Sequence, residues 1–249
     1  MLRRKHILLL LEWYDYRIHR GVAQIARENG WQLNCPKSFT HNEGILRNWQ
    51  GDGCIALLQC TQTLEYFRTH KIPLVDLGLG DHNLPIPRVV TDNEAIGRLA
   101  AEHFRDHGYK EVFALTADGI KMYEERLQAF ITQMEADGGK VTVFDSAGRT
   151  ESKVIQELHE LAKAQGRKME ELSVGFFAFQ DTAAAEMISI CLKNNLRVPE
   201  NIAVLGVDND DLVNQGLSVG LSSVDSDQEG LGLTAARTLQ KLLDSNSKR

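Results

Sequence analysis

Between Val89 and Leu115 the chain reads VVTDNEAIGRLAAEHFRDHGYKEVFAL, a strand-like run, a helix and a second strand-like run in succession. Arg88–Val90 is short and apolar at its end, so a strand is predicted there. Asp92 then offers a helix N-cap, and Ile96, Leu99 and Ala100 recur three and four apart on one helical face. Gly108 is expected to end the helix in the left-handed conformation, after which Glu111–Leu115 starts a fresh strand. Strand, helix and strand in this order form a crossover between parallel strands, which need a helical return.

The same alternation runs outward in both directions. Further strand-like runs are predicted at His6–Leu11, Trp31–Asn34, Gly53–Leu58, Pro73–Leu77, Lys140–Phe144, Ser173–Phe179, Ile202–Val207 and Leu221–Val224. Helical spacing fills the gaps, as at Ile18, Val22 and Ile25, at Leu127, Phe130 and Ile131, and at Ala184, Met187, Ile188 and Cys191. The class is α/β, and even spacing without a Pro-, Gly- or Ser-rich linker leaves a closed barrel or two doubly wound sheets. The segment after Gly108 favours two lobes. The expected division is 1–108 plus 223–249 for the first and 109–222 for the second, with Gly108–Lys110 and Leu221–Val224 as the crossings.

Composition excludes several function classes. The chain has 249 residues, 28 Lys and Arg against 34 Asp and Glu, 43% hydrophobic residues and 25% charged residues. Those fractions are ordinary for a packed domain. The net charge of −6 and the lack of a basic stripe argue that this stretch is not itself a DNA-gripping surface. No apolar run reaches the ~18 residues of a membrane span. The start MLRRKHILLLLEWYDY imitates a signal peptide, but Glu12, Trp13 and Asp15 stand where a small-residue cleavage site belongs. The four cysteines, Cys35, Cys54, Cys60 and Cys191, show no metal or redox spacing and are expected to be buried thiols of a cytoplasmic protein. Phosphate-loop, dinucleotide and nucleophile-elbow motifs are missing, and His103 with His107 lacks the order of a zinc protease. No catalytic group, cofactor or metal is expected.

Ligands of open α/β sheets bind beyond the carboxyl ends of the strands. The sequence places Trp13, Tyr14 and Asp15 there after the first strand, then Gln59, Asp76, Asp118, Phe179, Gln180, Asp181, Asp208 and Asn209. Acids and amides beside aromatic rings suit a polyhydroxylated ligand, whose hydroxyls bond the polar groups while a ring covers its C–H face. For each acid or amide, helix or turn capping is the alternative.

The stretch VLGVDNDDLVNQGLSVGLSSVDSDQEGLGLTAARTLQKLL, Val204–Leu243, resembles the sensor portion of LacI-type transcription regulators, and among them the XylR-type xylose regulators, whose sensor precedes an AraC-type DNA-binding module. IPLVDLG at Ile72–Gly78, YEERLQAF at Tyr123–Phe130, DTAAA at Asp181–Ala185 and the Val89–Leu115 stretch fit the same family, so the resemblance covers nearly the whole chain. It implies a two-lobed, periplasmic-binding-protein-like sensor that closes on a small sugar, a pentose such as xylose, and dimerises with a second copy. Arg126 matches an arginine that contacts sugar hydroxyls, and Asp181 and Asp208 match polar ligand residues. Gln228 and the Trp13–Asp15 loop are further candidates. DNA contact is expected only through a module outside the chain, which stops soon after the helix predicted from Gln228 to Leu243. A transporter-type sugar-binding protein and, less favoured, a sugar-active enzyme share the fold.

Overall fold

The computed structural model describes residues 3–36, 49–80, 83–116, 119–145 and 150–246; Asp118 lies outside them. The chain forms two compact units, one of Met1–Thr91 with Asp227–Arg249 and one of Asp92–Ser226. Each carries its own parallel sheet.

In the first unit the strands β1 (His6–Leu11), β2 (Gln32–Asn34), β3 (Gly53–Leu57) and β4 (Leu74–Asp76) take the order β2-β1-β3-β4. The ILLLL run is buried throughout, as a parallel strand covered on both faces requires. Alternation divides it: Leu8 and Leu10 join Cys54, Ala56, Leu64 and Phe67 in one core, the last two from helix α2 (Thr61–Thr69). Gly53, one residue before Cys54, instead lies under Leu239 of α8 (Gln228–Asn246). Helix α1 (Tyr16–Glu28) is capped by Asp15, which accepts from the Arg17 and Ile18 N–H groups, and buries Ile18, Val22 and Ile25 as their spacing predicts. It packs on α8 at two glycines. A Cβ on Gly21 would stand 2.3 Å from the Glu229 carbonyl oxygen, and one on Gly232 would stand 2.3 Å from that of Ile18.

The second unit orders its strands β6-β5-β7-β8-β9: β5 (Glu111–Thr116), β6 (Lys140–Asp145), β7 (Val174–Phe177), β8 (Ile202–Val207) and β9 (Ser222–Val224). All neighbours pair in parallel. Val112 and Ala114 of β5 face Ile96 and Phe104 of α3 (Asn93–Asp106) and Phe130 of α4 (Lys121–Ala136). Phe113 and Leu115 face Leu158 of α5 (Glu151–Ala164) and Met187 of α6 (Asp181–Lys193). Each fully buried Phe or Leu contributes about 1.5–3 kcal/mol, so the period-two pattern supplies two apolar cores, one on each face. A short helix α7 (Asp211–Gln215) lies between β8 and β9.

Three expectations are corrected. The strand expected at Arg88–Val90 is one isolated parallel bridge, Asp76 to Arg88, because Pro85 and Pro87 have no N–H to extend a ladder. The crossings fall after Thr91 and after Ser226, not at Gly108–Lys110 and Leu221–Val224, so the boundaries expected at 108 and 222 move. The reason is packing: α3 seats Gly97 against α4, where a Cβ would stand 2.3 Å from the Arg126 carbonyl oxygen, and β9 completes the second sheet. Gly108 does end α3's turn at φ +79° as expected, without being a crossing. Finally, Cys54 and Cys191 are buried as expected, whereas Cys35 is half-buried and Cys60 is exposed.

The α1–α8 contact gives a test. Gly21→Val removes a helix-interior glycine, a gain under about 1 kcal/mol, but the new side chain meets backbone that no rotamer change can move, at about 1–3 kcal/mol. Calorimetry should show the midpoint lowered by about 2–10 °C; a midpoint equal to wild type contradicts the close crossing.

Candidate functional site

The second unit gathers a buried ionic cluster at the carboxyl ends of its strands. Arg126 lies in the second turn of α4, and its side chain is fully buried. Its Nε donates to Asn93 Oδ1 at 2.9 Å and its Nη1 to the Phe179 carbonyl oxygen at 2.9 Å. Nη1 also stands 3.9 Å from Asp208 Oδ1. Nη2 is buried and has no hydrogen-bond partner among the described residues.

Local sequence fixes each neighbour. Asp92 caps α3 by accepting from the Ala95 N–H, which sets Asn93 at the first helical position. Asn93 is buried, and its Nδ2 donates to Glu125 Oε2 at 3.0 Å while its Oδ1 takes Arg126. Tyr123, three residues before Arg126 and so on the same helical face, lies under the guanidinium, 5.5 Å from its central carbon. The Tyr123 ring also packs on Phe179, centroids 4.5 Å apart, and its hydroxyl donates to Gln180 Oε1 at 2.9 Å.

Asp208 follows β8 with φ 103°, and Asn209 has φ 48°. Non-glycine residues are rare in this region, at a cost of about 1–3 kcal/mol each, and such strain concentrates at functional sites. The strained turn is clamped from β9 and from Ser226 just beyond it. Val224 accepts the Asp208 N–H at 2.9 Å, Ser223 Oγ accepts the Asn209 N–H at 2.9 Å, and Ser226 Oγ donates to Asp208 Oδ1 at 2.7 Å. The Asp208 side chain keeps 20% exposure.

Burial pulls the Arg126 guanidinium below its ordinary value, while Asp208 and Tyr123 push it back up. A guanidinium keeps its proton even when buried, and leaving its charge uncompensated at that depth would cost several kcal/mol, which the nearby Asp208 carboxylate offsets. Burial and the Asp208 carboxylate raise the Tyr123 hydroxyl to about 12 against the weaker opposing effect of Arg126. Tyr123 therefore stays protonated as the donor to Gln180.

Among the seven residues singled out from sequence, Arg126 and Asp208 meet in this cluster. Asp181 does not join them: it is 3% exposed, with Oδ2 accepting from the Asp210 N–H at 2.7 Å and Oδ1 from Ser223 Oγ at 2.6 Å. It ties α6 to β9 and to the loop after β8. The capping role considered for Asp208 belongs to Asp210, which accepts from Leu212 and Val213 at the start of α7. The other four lie in the first unit. Asp15 spends its carboxylate on the α1 cap and on Arg17, 2.6 Å from Nη2. Trp13 and Tyr14 are 38% and 54% exposed, with Tyr14 Oη 3.0 Å from His19 Nδ1. Gln228 begins α8 and is buried. Sequence reasoning missed Asn93, Tyr123 and Ser226. The i,i+3 spacing from Tyr123 to Arg126 was a usable signal; the tertiary partners of Asn93 and Ser226 had none.

Among the described residues no group of three or more His, Cys, Asp or Glu side chains could hold a metal ion. The His103 and His107 rings are tilted by 38° with centroids 4.3 Å apart, and His107 Nδ1 is engaged by the His103 carbonyl oxygen. No helix among the described residues is long and apolar enough to cross a membrane.

A family model described as a periplasmic binding protein-like domain matches residues 101–249. The chain belongs to this family. Among curated relatives, the xylose operon regulatory protein of Haemophilus influenzae is 25% identical over 93% of this chain and 62% of its own length. That of Escherichia coli K12 is 26% identical over 98% and 65%. The chain thus spans less than two thirds of these relatives. A solved structure titled as a periplasmic binding protein/LacI transcriptional regulator from Alkaliphilus metalliredigens, complexed with D-xylulofuranose, superposes with a TM-score of 0.76 at 19% identity, covering 97% of this chain and 91% of that one. The two parallel α/β units are those of the periplasmic-binding-protein-like fold, and the resemblance read from sequence to LacI-type and xylose regulators agrees with these matches.

In this domain the Tyr123 hydroxyl titrates at about 12 when folded and at about 10 when unfolded. The folded state therefore binds more protons between those values, and its stabilisation, complete below about pH 10, is lost as pH rises through the window. A spectrophotometric titration should show one of the five tyrosines ionising last, and Tyr123→Phe should remove that step. A wild-type titration complete by pH 11 contradicts the burial.

Proposed function

We propose that the chain is the ligand-sensing domain of a transcription regulator and that its ligand is a small neutral sugar, a pentose such as xylose. The observation that carries this is the orphaned Nη2 of Arg126 beside the part-exposed Asp208 carboxylate. A buried guanidinium donor without a partner costs about 1–3 kcal/mol, and a ligand oxygen removes that cost. A hydroxyl can donate to Asp208 and accept from Arg126 at once, which adjacent sugar hydroxyls do readily. Arg126 is already balanced by Asp208, so an anionic ligand would meet the carboxylate as well as the guanidinium. Phe179, half-buried against Tyr123, can cover the apolar face of a sugar ring.

The names of the relatives support the same reading, since two are xylose operon regulators and one solved neighbour holds a pentulose. The sensor works in the cytoplasm as a homodimer, returns its sugar unchanged, and acts on DNA through a separate module.

Thermal unfolding with a ligand panel tests this. At about a hundredfold excess over Kd a ligand stabilises the folded form by about 2.7 kcal/mol, or about 5–10 °C here. D-xylose should give that shift, hexoses less, and nucleotides or amino acids none. Asp208→Asn should lower affinity about tenfold and alter the preference among epimers. A panel in which nucleotides or amino acids raise the midpoint while every pentose is silent overturns the sugar reading.

A further inference from the structure

The chain passes between its two units twice, after Thr91 and after Ser226. Next to each passage stands a residue that bonds one member of the Arg126–Asp208 pair. Asn93, two residues past the first, accepts from Arg126 Nε at 2.9 Å. Ser226, at the second, donates to Asp208 Oδ1 at 2.7 Å. We propose that Asn93 and Ser226 are positioning residues that hold Arg126 and Asp208 ready for the ligand and carry occupancy of that pair into the two connecting segments. This rests on the reading of Arg126 and Asp208 as the ligand pair.

The geometry favours transmission over mere support. Both connections run straight into a pinned helix start: Asp92 accepts from Ala95 at the head of α3, and Asp227 accepts from the Gly230 N–H at 2.9 Å at the head of α8. Asp227 itself has φ 51°, so Asp208, Asn209 and Asp227 place three residues of strained backbone around the second connection. Strained, clamped backbone has few alternative arrangements, and a shift at Asp208 is passed on through Ser226 instead of being absorbed locally. On the other side, Nε holds Asn93 while Nη2 is left for the ligand, so ligand contact and connection share one planar group. A rigid guanidinium cannot reorient towards one partner without moving against the other.

Hydrogen exchange of the full chain, read by mass spectrometry with and without saturating D-xylose, tests the proposal. In wild type and in Ser226→Thr the sugar should slow exchange across residues 90–93 and 225–228. In Ser226→Ala the sugar should still bind, about tenfold more weakly, as for one lost hydrogen bond to a charged group, without slowing exchange across 225–228. Asn93→Ala should behave likewise across 90–93; should it fail to fold, the Ser226 pair decides. Protection that persists in an alanine variant overturns the role of that residue. A wild type silent towards D-xylose would sink the pentose reading alone, because the unliganded protein still decides the positioning. There, the Arg126 Nε–H followed by NMR should exchange about tenfold faster in Asn93→Ala, and residues 225–228 should exchange faster in Asp208→Asn. Unchanged rates in both overturn the proposal.

Discussion

A guanidinium with no solvent exposure is the most demanding group in this chain, and the second unit is arranged around it. Charge at that depth is tolerable only with an opposite charge nearby and hydrogen bonds in its plane. Arg126 has Asp208 at 3.9 Å, Asn93 and the Phe179 carbonyl oxygen at 2.9 Å each, and the Tyr123 ring beneath it. These partners come from α3, α4 and the ends of β7 and β8. Each of those elements must therefore stop or start where it does. Gly97 is part of the same constraint, since any side chain there would push α3 off the turn of α4 that carries Arg126.

Asp208 meets its half of the arrangement only at φ 103°, where glycine sits freely and other residues are uncommon, Asn and Asp being the least disfavoured of them. Glycine has no carboxylate, so the strain is a consequence of needing the charge at that point. Residues of β9 and Ser226 just beyond it hold it in place, and Asp181 supports β9 in turn by accepting from Ser223 Oγ, and from the Asp210 N–H as well. Two aspartates that look equivalent in sequence, each just beyond an apolar strand, thus do different work. Asp181 saturates structural donors, and Asp208 balances Arg126 and keeps part of its surface open.

How far the sequence discloses this follows from the range of the interactions. Unbroken apolar runs such as ILLLL and Val112–Leu115, and three-four spacing in α1 and α6, are local, so strands and helices are legible to within a residue or two. The boundary between units is not, because it depends on α3 packing against α4 and on β9 joining β8, contacts invisible to periodicity. Arg88–Val90 reads as a strand by composition, yet two prolines leave it a single bridge. Within the site, Arg126 came from a family pattern, and Asp208 from that pattern and from its place just beyond an apolar strand, neither of which carries distances. Asn93 and Ser226 are ordinary turn and cap residue types, and only the fold shows which side chain each one holds.

The first unit spends its strand-end carboxylates differently. Asp15 takes Arg17 and the α1 cap, fully buried Asp76 takes Arg88 Nε at 2.9 Å and the Gly78 N–H, and Glu12 accepts from the Gln59 N–H at 2.6 Å. Asp15 thus serves a helix start while Asp76 and Glu12 fasten strand-end segments, and the side chains left exposed at the end of β1 are the rings of Trp13 and Tyr14. Taken unit by unit, then, the buried cation with an unmet donor lies in the second, and the exposed aromatic surface lies in the first. Lysine could not replace Arg126 in this scheme. A single ammonium is a point charge and cannot reach Asn93, the Phe179 carbonyl, Asp208 and a further oxygen along separate directions, whereas the planar fork does so without changing rotamer. Directed valence, more than charge, is what the sequence secures by placing arginine in the second turn of α4.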